Sequence, residues 1–477
     1  MTDTWTSPLA ERYASRAMLE LWSPQVRHGL WRRLWLALAE AERDLGVEIP
    51  DAALAEMRAH LDHIDFAAAR RYEQRFRHDV MAHVHAFADV APAARPFIHL
   101  GATSAFVTDN ADLIQMRRGL ALLRDKVAVA ISALAAFARE WRHEPCLGYT
   151  HLQPAQCTTV GKRATLWMQD LLLDLDDLEH RISHLPFRGV KGTTGTQASF
   201  LELFGGDHAR VRELDRRVTA AMGFSHSIPV SGQTYTRKVD AQVMGAVAGV
   251  AASAAKMAGD LRVLQSFGEV EEPFEAEQVG SSAMAYKRNP MRSERVNALA
   301  RFVLALAPNA NQTHSVQFLE RTLDDSANRR LAIPEAFLAV DAILLIVDNL
   351  SRGLEVHPAR IRRRLEDELP FMATEALLVR AVRAGGDRQA VHAVIRTHSI
   401  AAARAMKDEG KANDLLDRLA ADPAFGVSVD ELRRAIEPRH FTGRAPQQVE
   451  EFLAEVVEPR LRLHAAAVAA PLEEVRV

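Results

Sequence analysis

The sequence is poor in cysteine, in net charge and in long hydrophobic runs, and each shortage excludes a class of protein. Cys146 and Cys157 are the only cysteines among 477 residues, which is too few for a disulfide framework. A metal site would need other ligands as well, and we expect both thiols to be reduced, as is usual in the cytoplasm. The formal net charge of −3 argues against a general nucleic-acid binder, because such proteins usually carry a basic excess.

The most apolar segment, residues 336–347 (AFLAVDAILLIV), is shorter than the roughly 20 residues of a membrane span and contains Asp341. We therefore expect it to be a buried core helix rather than a membrane anchor. The N-terminus lacks the basic start and the apolar stretch of a signal peptide. The length and the ordinary content of hydrophobic residues predict a globular protein of about three domains.

Apolar residues recur at spacings of three and four along several segments, which predicts long amphipathic helices. The first helix is expected at residues 160–185, with Thr158 or Thr159 as its cap and Pro186 after its end. The others are expected at residues 237–267, 291–306 and 312–352, the last with a kink at Pro334. Because no alternating strand pattern is present, we predict an all-α fold. Helices of about 30 residues reach about 45 Å, which favours a long bundle associated with other copies.

Three segments interrupt the helical pattern, at residues 95–110, 187–200 and 271–290. Loops on a rigid scaffold often carry function. The first interruption and a second break near Gly353 to His357 divide the chain. We predict an N-terminal helical domain at 1–103, a central long-helix bundle at 104–356 and a C-terminal helical domain at 357–477.

The loop GSSAMAYKRNP (280–290) combines a flexible glycine, hydroxyls and a lysine. Such a set can form an activated nucleophile or base, or bind an oxyanion. A polar surface loop without function is the alternative. A hydrolase is disfavoured because the loop contains no GxSxG motif.

Histidines mark two further candidates. In FRHDVMAHVH (76–85), His78 and His83 would lie about 140° apart on a helix, which disfavours a metal site on one face. The cluster Arg77–His78–Asp79 is a candidate anion and proton site, although an interior histidine is the commoner case. His151 lies just before the helix expected to start near 158, where a histidine can exchange protons and helix-end donors can bind anions. A structural loop histidine is the alternative.

The segment RTLDDSANRR (321–330) places Arg321, Arg329 and Arg330 around Ser326. Guanidinium groups match the oxygens of phosphate and carboxylate. Salt bridges with the neighbouring Asp324 and Asp325 are the alternative. The glycine-rich GVKGTTGTQ lacks the GK[ST] ending of a phosphate-binding loop, so nucleoside triphosphate binding is disfavoured.

Together these segments resemble the fumarase/aspartase superfamily, because GSSAMAYKRNP is similar to its signature loop GSSxMPxKxNP. The resemblance extends over nearly the whole chain to one branch, especially its animal-type members, which cleaves N-succinyl purine nucleotides. The blocks similar to that branch, in order, are SPLAERYAS, RHDVMAHVH, HLGATS, THLQPAQ, FRGVKGTTGTQASF, SGQTYTRKVD, KRNPMRSER, RTLDDSANRR and ELPFMATE.

This resemblance implies a three-domain all-α fold and a β-elimination that releases fumarate, with no cofactor and no metal. It implies that Ser281 is the base and His151 the acid, with Lys287 and Asn289 stabilising the dianionic intermediate. His78 is similar to the second histidine of the family's site, and Glu294 to the acidic residue that orients the acid histidine. Serine is a poor base in water, so its activity requires loop closure near Lys287.

The resemblance also implies the residues that bind the substrate. The positions similar to the family's nucleotide and succinyl contacts are Arg12, Tyr13, Arg77, His78, Asp79, Thr103, Ser104, Gln233, Asn289, Arg295, Arg321, Ser326 and Arg330. Arg330, and not Arg329, matches the family's ligand contact. The family builds each site from three subunits of a homotetramer, so the expected partners are a small-molecule substrate and other copies of the chain, with no nucleic acid and no membrane.

One position departs from the family's pattern. Ala285 stands where the superfamily usually has proline, which should make closure of the loop slower or less complete. Two other functions remain open from the sequence. The first is a lyase for argininosuccinate or a simpler succinate adduct, which Arg321, Ser326 and Arg330 disfavour. The second is a structural bundle protein, which the retained Ser281 and His151 disfavour.

Overall fold

The computed structural model of the chain describes residues 3–275, 277–423 and 425–470. Within these residues the backbone is mostly α-helical, and the strands form two small antiparallel pairs. The all-α prediction is confirmed. One large hydrophobic core joins the N-terminal helices to the long central helices.

The N-terminal region is built from short and medium helices. A π-helical turn, Leu9–Tyr13, precedes them, and a 3-10 turn, Pro92–Ala94, follows. The helices are α1 (Arg16–Leu21), α2 (Pro24–Asp44), α3 (Asp51–Ala59), α4 (Phe66–Phe76) and α5 (Asp79–Val90). Helix α2 carries the buried Trp31 and Trp35. It packs against the first long helix of the central region, so the two regions share one core.

The central region contains the bundle that the periodicity predicts. Its helices are α6 (Ser104–Glu140), α7 (Val160–His184), α8 (Ala198–Leu203), α9 (His208–Ala221), α10 (Lys238–Phe267), α11 (Met291–Ser315) and α12 (Asp324–Gly353). Helix α10 packs against α7, α11 and α12, and α6 packs against α7 and α12. The 37 residues of α6 extend over about 55 Å. The bundle therefore supplies a long rigid scaffold.

Helix α7 shows why the sequence folds as predicted here. Thr159 caps it, because its hydroxyl oxygen accepts the backbone N–H of Lys162 at 3.1 Å. The apolar positions Ala164, Trp167 and Leu171 are buried, as the spacing of three and four requires. The helix ends at His184, just before Pro186.

Two helices of the bundle contain long apolar stretches. Helix α10 is long and apolar enough to cross a membrane, but 56% of its most apolar window is buried inside the protein. Its packing against three other helices makes it a bundle helix. The predicted core segment 336–347 lies in α12 and is buried, and its Asp341 is paired with Lys126 of α6 at 2.8 Å.

The predicted bounds of α11 and α12 were wrong. Helix α11 does not end near 306 but continues past Pro308 to Ser315. Tertiary contacts stabilise this extension, because Asn309 and Thr313 both hydrogen-bond Asn328 of α12. Helix α12 begins at Asp324 rather than 312, with two aspartates in its first turn, where negative charge is favourable. It runs on through Pro334 to Gly353.

The first expected interruption is also shorter than predicted, because residues 104–110 already belong to α6. Helix α6 begins at the expected start of the central domain. The strand pair β3 (Val270–Glu271) and β4 (Glu355–Val356) ends close to the expected second boundary. The three-domain division itself remains a prediction.

A hairpin that the periodicity did not indicate joins α6 to α7. Its strands are β1 (Pro145–Thr150) and β2 (Gln153–Thr159), which pair antiparallel with an irregularity at Gly148 and Tyr149. Cys146 and Cys157 lie on these neighbouring strands as free thiols, and burial raises the pKa of each to about 11.

The C-terminal region consists of shorter helices. They are α13 (Pro358–Met372), α14 (Thr374–Arg383), α15 (Arg388–Glu409), α16 (Leu415–Ala421), α17 (Val429–Ala435), α18 (Ala445–Phe452), α19 (Glu458–Leu463) and α20 (Ala465–Val468), with a 3-10 turn at Pro438–Phe441 and a π-helical turn at Leu453–Val457. Helices α14 to α17 enclose a second small core. Helix α18 returns to the bundle and packs against α7.

Candidate active site

A cavity of about 560 Å³ lies where the turn between α4 and α5 meets the first turns of α6 and α12. Its lining includes nine of the residues that the sequence predicted to bind substrate: Arg77, His78, Asp79, Thr103, Ser104, Gln233, Arg321, Ser326 and Arg330. These residues come from four distant parts of the sequence. The fold therefore gathers most of the predicted binding residues in one place.

The turn between α4 and α5 presents Arg77, His78 and Asp79 to this cavity. Arg77 ends α4 in the left-handed region, with φ of 54°, a conformation that is strained for a residue with a side chain. His78 is the N-cap of α5, and its Nδ1 accepts the backbone N–H of Met81 at 3.3 Å. Because Nδ1 is an acceptor, the neutral ring carries its hydrogen on Nε2, which lies 3.3 Å from the Ser104 hydroxyl.

The neighbouring histidine has a different environment. His83 is buried and stacks on His28 with 3.9 Å between ring centroids. Burial and, to a smaller extent, the charge of Arg32 lower the pKa of His83 to about 4. His83 is therefore a neutral core residue, whereas His78 lines the cavity.

The two adjacent arginines of α12 point to different surroundings. Arg329 is buried and binds Asp240 at 2.7 Å and Asp112 at 3.0 Å. Arg330 remains half-exposed and binds Asp79 at 2.8 Å across the cavity. Burial opposes ionisation of Asp79, but the hydrogen bond and the charge of Arg330 hold its pKa below the usual range. The expectation that neighbouring aspartates bind the arginines applies only to Arg321, which lies 3.6 Å from Asp325.

A buried ion-pair network forms the floor of the cavity, and the sequence did not indicate it. Arg237 binds Asp325 at 2.7 Å and Asp109 at 3.1 Å, and these side chains are almost completely buried. Burial opposes ionisation of Asp109, but the charge of Arg237 holds its pKa below the usual range. These three residues are far apart in the sequence, so no local sequence pattern indicates that they form ion pairs. The network fixes the first turn of α12 and hence Arg321 and Ser326.

His151 does not lie where the sequence placed it. It occupies the two-residue turn between β1 and β2, next to Leu152, and both residues have positive φ, of 55° and 57°. The seven residues of β2 separate it from α7, a distance of roughly 20 Å along an extended strand. The backbone N–H groups at the N-terminal end of α7 are therefore too far away to act as donors beside His151. The imidazole is instead presented at an exposed tip.

The loop around Ser281 forms another separate site. The Ser281 hydroxyl oxygen accepts the backbone N–H groups of Ala283 at 3.3 Å and of Met284 at 3.2 Å, which leaves its hydrogen available. Lys287 is exposed, and its ammonium group has no hydrogen-bond or ion-pair partner within the described residues. The amide nitrogen of Asn289 donates to the carbonyl of Gly280 at 2.7 Å.

The remaining predicted residues lie at the start of α11 and at the N-terminus. The guanidinium group of Arg295 lies 5.7 Å from the centroid of the Tyr13 ring, and that of Arg12 lies 5.8 Å from it. Glu294 is exposed and lies 3.8 Å from Arg262 of α10. Neither His151 nor Ser281 nor this group lines the cavity, so the predicted residues fall into separate groups within one chain.

One cluster among the described residues has the side chains of a metal site. Ligand atoms of Glu271, Glu355 and His357 lie within 4.8 Å of one another. Arg288 already donates to both carboxylates, at 3.1 Å to Glu271 and 2.7 Å to Glu355. A guanidinium thus balances the charge that a cation would otherwise compensate.

Comparison with known proteins shows what such a chain is similar to. A sequence model of a protein family described as "Lyase" matches residues 7–305, and one described as "Adenylosuccinate lyase C-terminus" matches residues 370–452. The chain is 52% identical over 463 residues to adenylosuccinate lyase of Saccharomyces cerevisiae, with 96% of each chain covered. It is 48% identical to that of Schistosoma mansoni, also with 96% of each chain covered.

A solved structure confirms the fold. Fumarate lyase from Mesorhizobium sp. BNC1 superimposes with a TM-score of 0.78 at 26% identity, covering 93% of this chain and 99% of the other. The predicted three-dimensional similarity to the fumarase/aspartase superfamily is therefore confirmed. On the matches of both family models and of relatives aligned over nearly their whole length, the chain belongs to the adenylosuccinate lyase family and is a lyase.

Proposed function

We propose that the chain cleaves fumarate from adenylosuccinate, giving AMP, and from the succinylated aminoimidazole carboxamide ribotide of purine biosynthesis. The observation that carries this proposal is the cavity, in which Arg77, Arg321 and Arg330 converge with Thr103 at the start of α6. Thr103, the N-cap residue of α6, makes no side-chain cap, and no side chain among the described residues takes its place, so the first N–H groups of the helix are available to an anion. Phosphate and carboxylate groups suit this set of donors.

In the proposed reaction, Ser281 removes a proton from the carbon next to a succinyl carboxylate. The electron pair is first held on that carboxylate as an aci-carboxylate intermediate, and it then forms the carbon–carbon double bond of fumarate as the carbon–nitrogen bond breaks. The intermediate carries two negative charges on one carboxylate, and Lys287 and Asn289 stabilise it. His151 donates a proton to the leaving nitrogen as general acid. The Nε2–H of His78 orients the substrate, and Glu294 orients His151.

Two observations support this assignment: the hydrogen of the Ser281 hydroxyl and the Lys287 ammonium group both lack a partner among the residues that the structure describes. Ser281 is a strong enough base only when Lys287 approaches its oxygen, since each unit of pKa depression requires about 1.4 kcal/mol of preferential stabilisation. The loop must therefore close over the substrate before proton transfer. Asn289 must at that point exchange its hydrogen bond to Gly280 for one to the substrate.

We further propose a cytoplasmic homotetramer in which each site combines residues of three subunits. The separation of the cavity, His151 and Ser281 within one chain supports this arrangement. Exposed apolar side chains lie on the outer faces of the bundle, including Leu166 and Leu173 of α7. A second copy would remove this apolar surface from water. The molar mass in solution, measured by light scattering, tests the assembly, and a monomer at micromolar concentration would contradict it.

An ultraviolet assay with adenylosuccinate as substrate and argininosuccinate as control tests the activity. We expect turnover of the first and none of the second. Ser281→Ala and His151→Ala should each lower kcat by at least about 100-fold, a typical contribution of a general acid or base. Near-normal turnover by either variant would remove that residue from the mechanism.

A further inference from the structure

Ser281 lies on the loop that connects β3 to α11, and hydrogen bonds join the two ends of this loop. The carboxylate of Glu272 accepts the backbone N–H of Arg292 at 2.9 Å and that of Ser293 at 3.0 Å. It also accepts the Ser293 hydroxyl at 3.1 Å. Glu272 is 4% exposed and Ser293 is fully buried, so these bonds are shielded from water.

These bonds complete the start of α11. The residue before this helix is Pro290, which offers no side-chain cap. Glu272 accepts the N–H groups that a capping side chain would otherwise accept, although it lies 20 residues earlier in the chain. A carboxylate at this position also interacts favourably with the positive end of the helix dipole. The beginning of the loop therefore stabilises the start of α11.

Gln265, in the last turn of α10, fastens the same two ends to the bundle. Its Oε1 accepts the backbone N–H of Glu272 at 3.1 Å, and its Nε2 donates to the carbonyl of Arg288 at 3.1 Å. One side chain thus holds both the first and the last part of the loop. We call Gln265 and Glu272 the loop clamp.

Ser281, Lys287 and Asn289, which have proposed chemical roles, lie in the loop whose two ends the loop clamp holds. Asn289 bonds the carbonyl of Gly280, and a Cβ at Gly280 would collide with the carbonyl oxygen of Lys287. The two sides of the loop therefore approach each other closely at Gly280 and Lys287, and residues 281–286 form the tip of the loop. The direction in which Ser281 and Lys287 extend is therefore determined by where the loop clamp holds the base.

We propose that Gln265 and Glu272 are positioning residues for the elimination, acting through Ser281 and Lys287 without touching the substrate. This inference rests on the proposed function of Ser281 as the base. A rigid base restricts the tip to a small set of positions. Because misplacement of a reacting group by about 1 Å can cost about 100-fold in rate, the loop clamp should affect turnover strongly.

The test compares Glu272→Ala and Gln265→Met with Asp207→Ala. Asp207 is a matched control, since its carboxylate also accepts two N–H groups at a helix start, those of Ala209 and Arg210, on α9. The measurements are kcat, KM, the thermal midpoint and the rate of tryptic cleavage after Lys287 and Arg288 in the native protein.

We expect Glu272→Ala to lower kcat by at least about 10-fold, with KM changed by less than about 3-fold. Cleavage of the loop should accelerate by about 10-fold or more, because the local opening equilibrium controls proteolysis. Gln265→Met, which keeps the side-chain length in a partly exposed helix position, should give smaller changes in the same direction. Asp207→Ala should lower the thermal midpoint but leave kcat and loop cleavage within about 2-fold.

Two results would overturn the inference. One is an unchanged kcat in Glu272→Ala and Gln265→Met despite faster cleavage, and the other is an equal loss of kcat in Asp207→Ala. Ser281→Ala, assayed in parallel, separates this failure from that of the proposed function. If Ser281→Ala keeps its turnover, the base assignment fails, and an unchanged cleavage rate in the clamp variants then refutes the loop clamp independently.

Discussion

Glu42 lies on α2 with its side chain fully buried, and neither carboxylate oxygen has a hydrogen-bond partner among the described residues. By contrast, the buried Asp341 is paired with Lys126 and the buried Arg329 with Asp240. Burial of an unpaired carboxylate favours its neutral form and raises the pKa of Glu42 to about 9. Glu42 is therefore protonated in the folded protein at neutral pH.

This environment predicts how stability depends on pH. The folded pKa of Glu42 is raised above its unfolded value, so its contribution is fully present below about pH 4.5 and is lost as the pH rises through 9. Glu42→Gln keeps the shape of the neutral acid and removes this loss. It should be more stable than the wild type by roughly 2–4 kcal/mol at pH 7, with a smaller dependence on pH. Denaturant unfolding at several pH values measures both.

Glu48→Gln, an exposed change close in sequence, is the control and should leave the pH dependence unaltered. A variant Glu42→Gln with the same slope of stability against pH as the wild type would show that Glu42 is ionised in the folded protein.

At the scale of single elements, the ends of helices carry much of the chemistry. Within the described part of the chain, helix α6 begins without a side-chain cap at the cavity, α5 is capped by His78, and α11 is capped by Glu272. The sequence predicted His78 and Thr103 as site residues but not their contacts, and it did not single out Glu272. A cap supplied from 20 residues away, or a histidine used as a cap, leaves no local pattern of the kind that Thr159 leaves at α7.

His78 both caps α5 and lines the cavity, and substitutions can separate these two roles. His78→Ala loses both the cap and the Nε2 donor, so it should lose about 1 kcal/mol of stability and most of its activity. His78→Asn keeps a good capping side chain and loses the Nε2 donor. It should therefore retain the stability of the wild type while its kcat/KM falls by at least about 10-fold. Thermal unfolding and steady-state kinetics measure the two effects.

Asp65→Ala removes a cap of the same kind from α4, outside the cavity lining, and should change stability alone. Wild-type activity in His78→Asn would mean that His78 acts only as a cap.

At the scale of the whole molecule, the sequence predicted the fold class, the bundle and nine of the residues that line the cavity. Periodicity located α7 and α10 because their apolar faces are continuous. It misplaced the junction of α11 and α12, since contacts between Asn309 and Asn328 stabilise the helix beyond a proline. It also missed the floor network of Arg237, Asp109 and Asp325, which exists only after distant segments meet.

The same scale sets the arrangement of the proposed site. In one chain, His151 is at a hairpin tip, Ser281 is on a loop between β3 and α11, and the arginines line a cavity at the start of α12. The central claim is that copies of the chain bring these groups together. If so, a variant defective in one group should be complemented by a variant defective in another.

The most direct test mixes subunits of Ser281→Ala and His151→Ala, reassembled at equal amounts, and measures turnover of adenylosuccinate. Random mixing should restore about one quarter of the wild-type activity, because a site then receives an intact serine and an intact histidine from different subunits by chance. An equal mixture of wild-type subunits with subunits that carry both Ser281→Ala and His151→Ala should also give about one quarter of the wild-type activity. No recovery in the first mixture, together with about one half in the second, would contradict the account and place both residues of a site in a single chain.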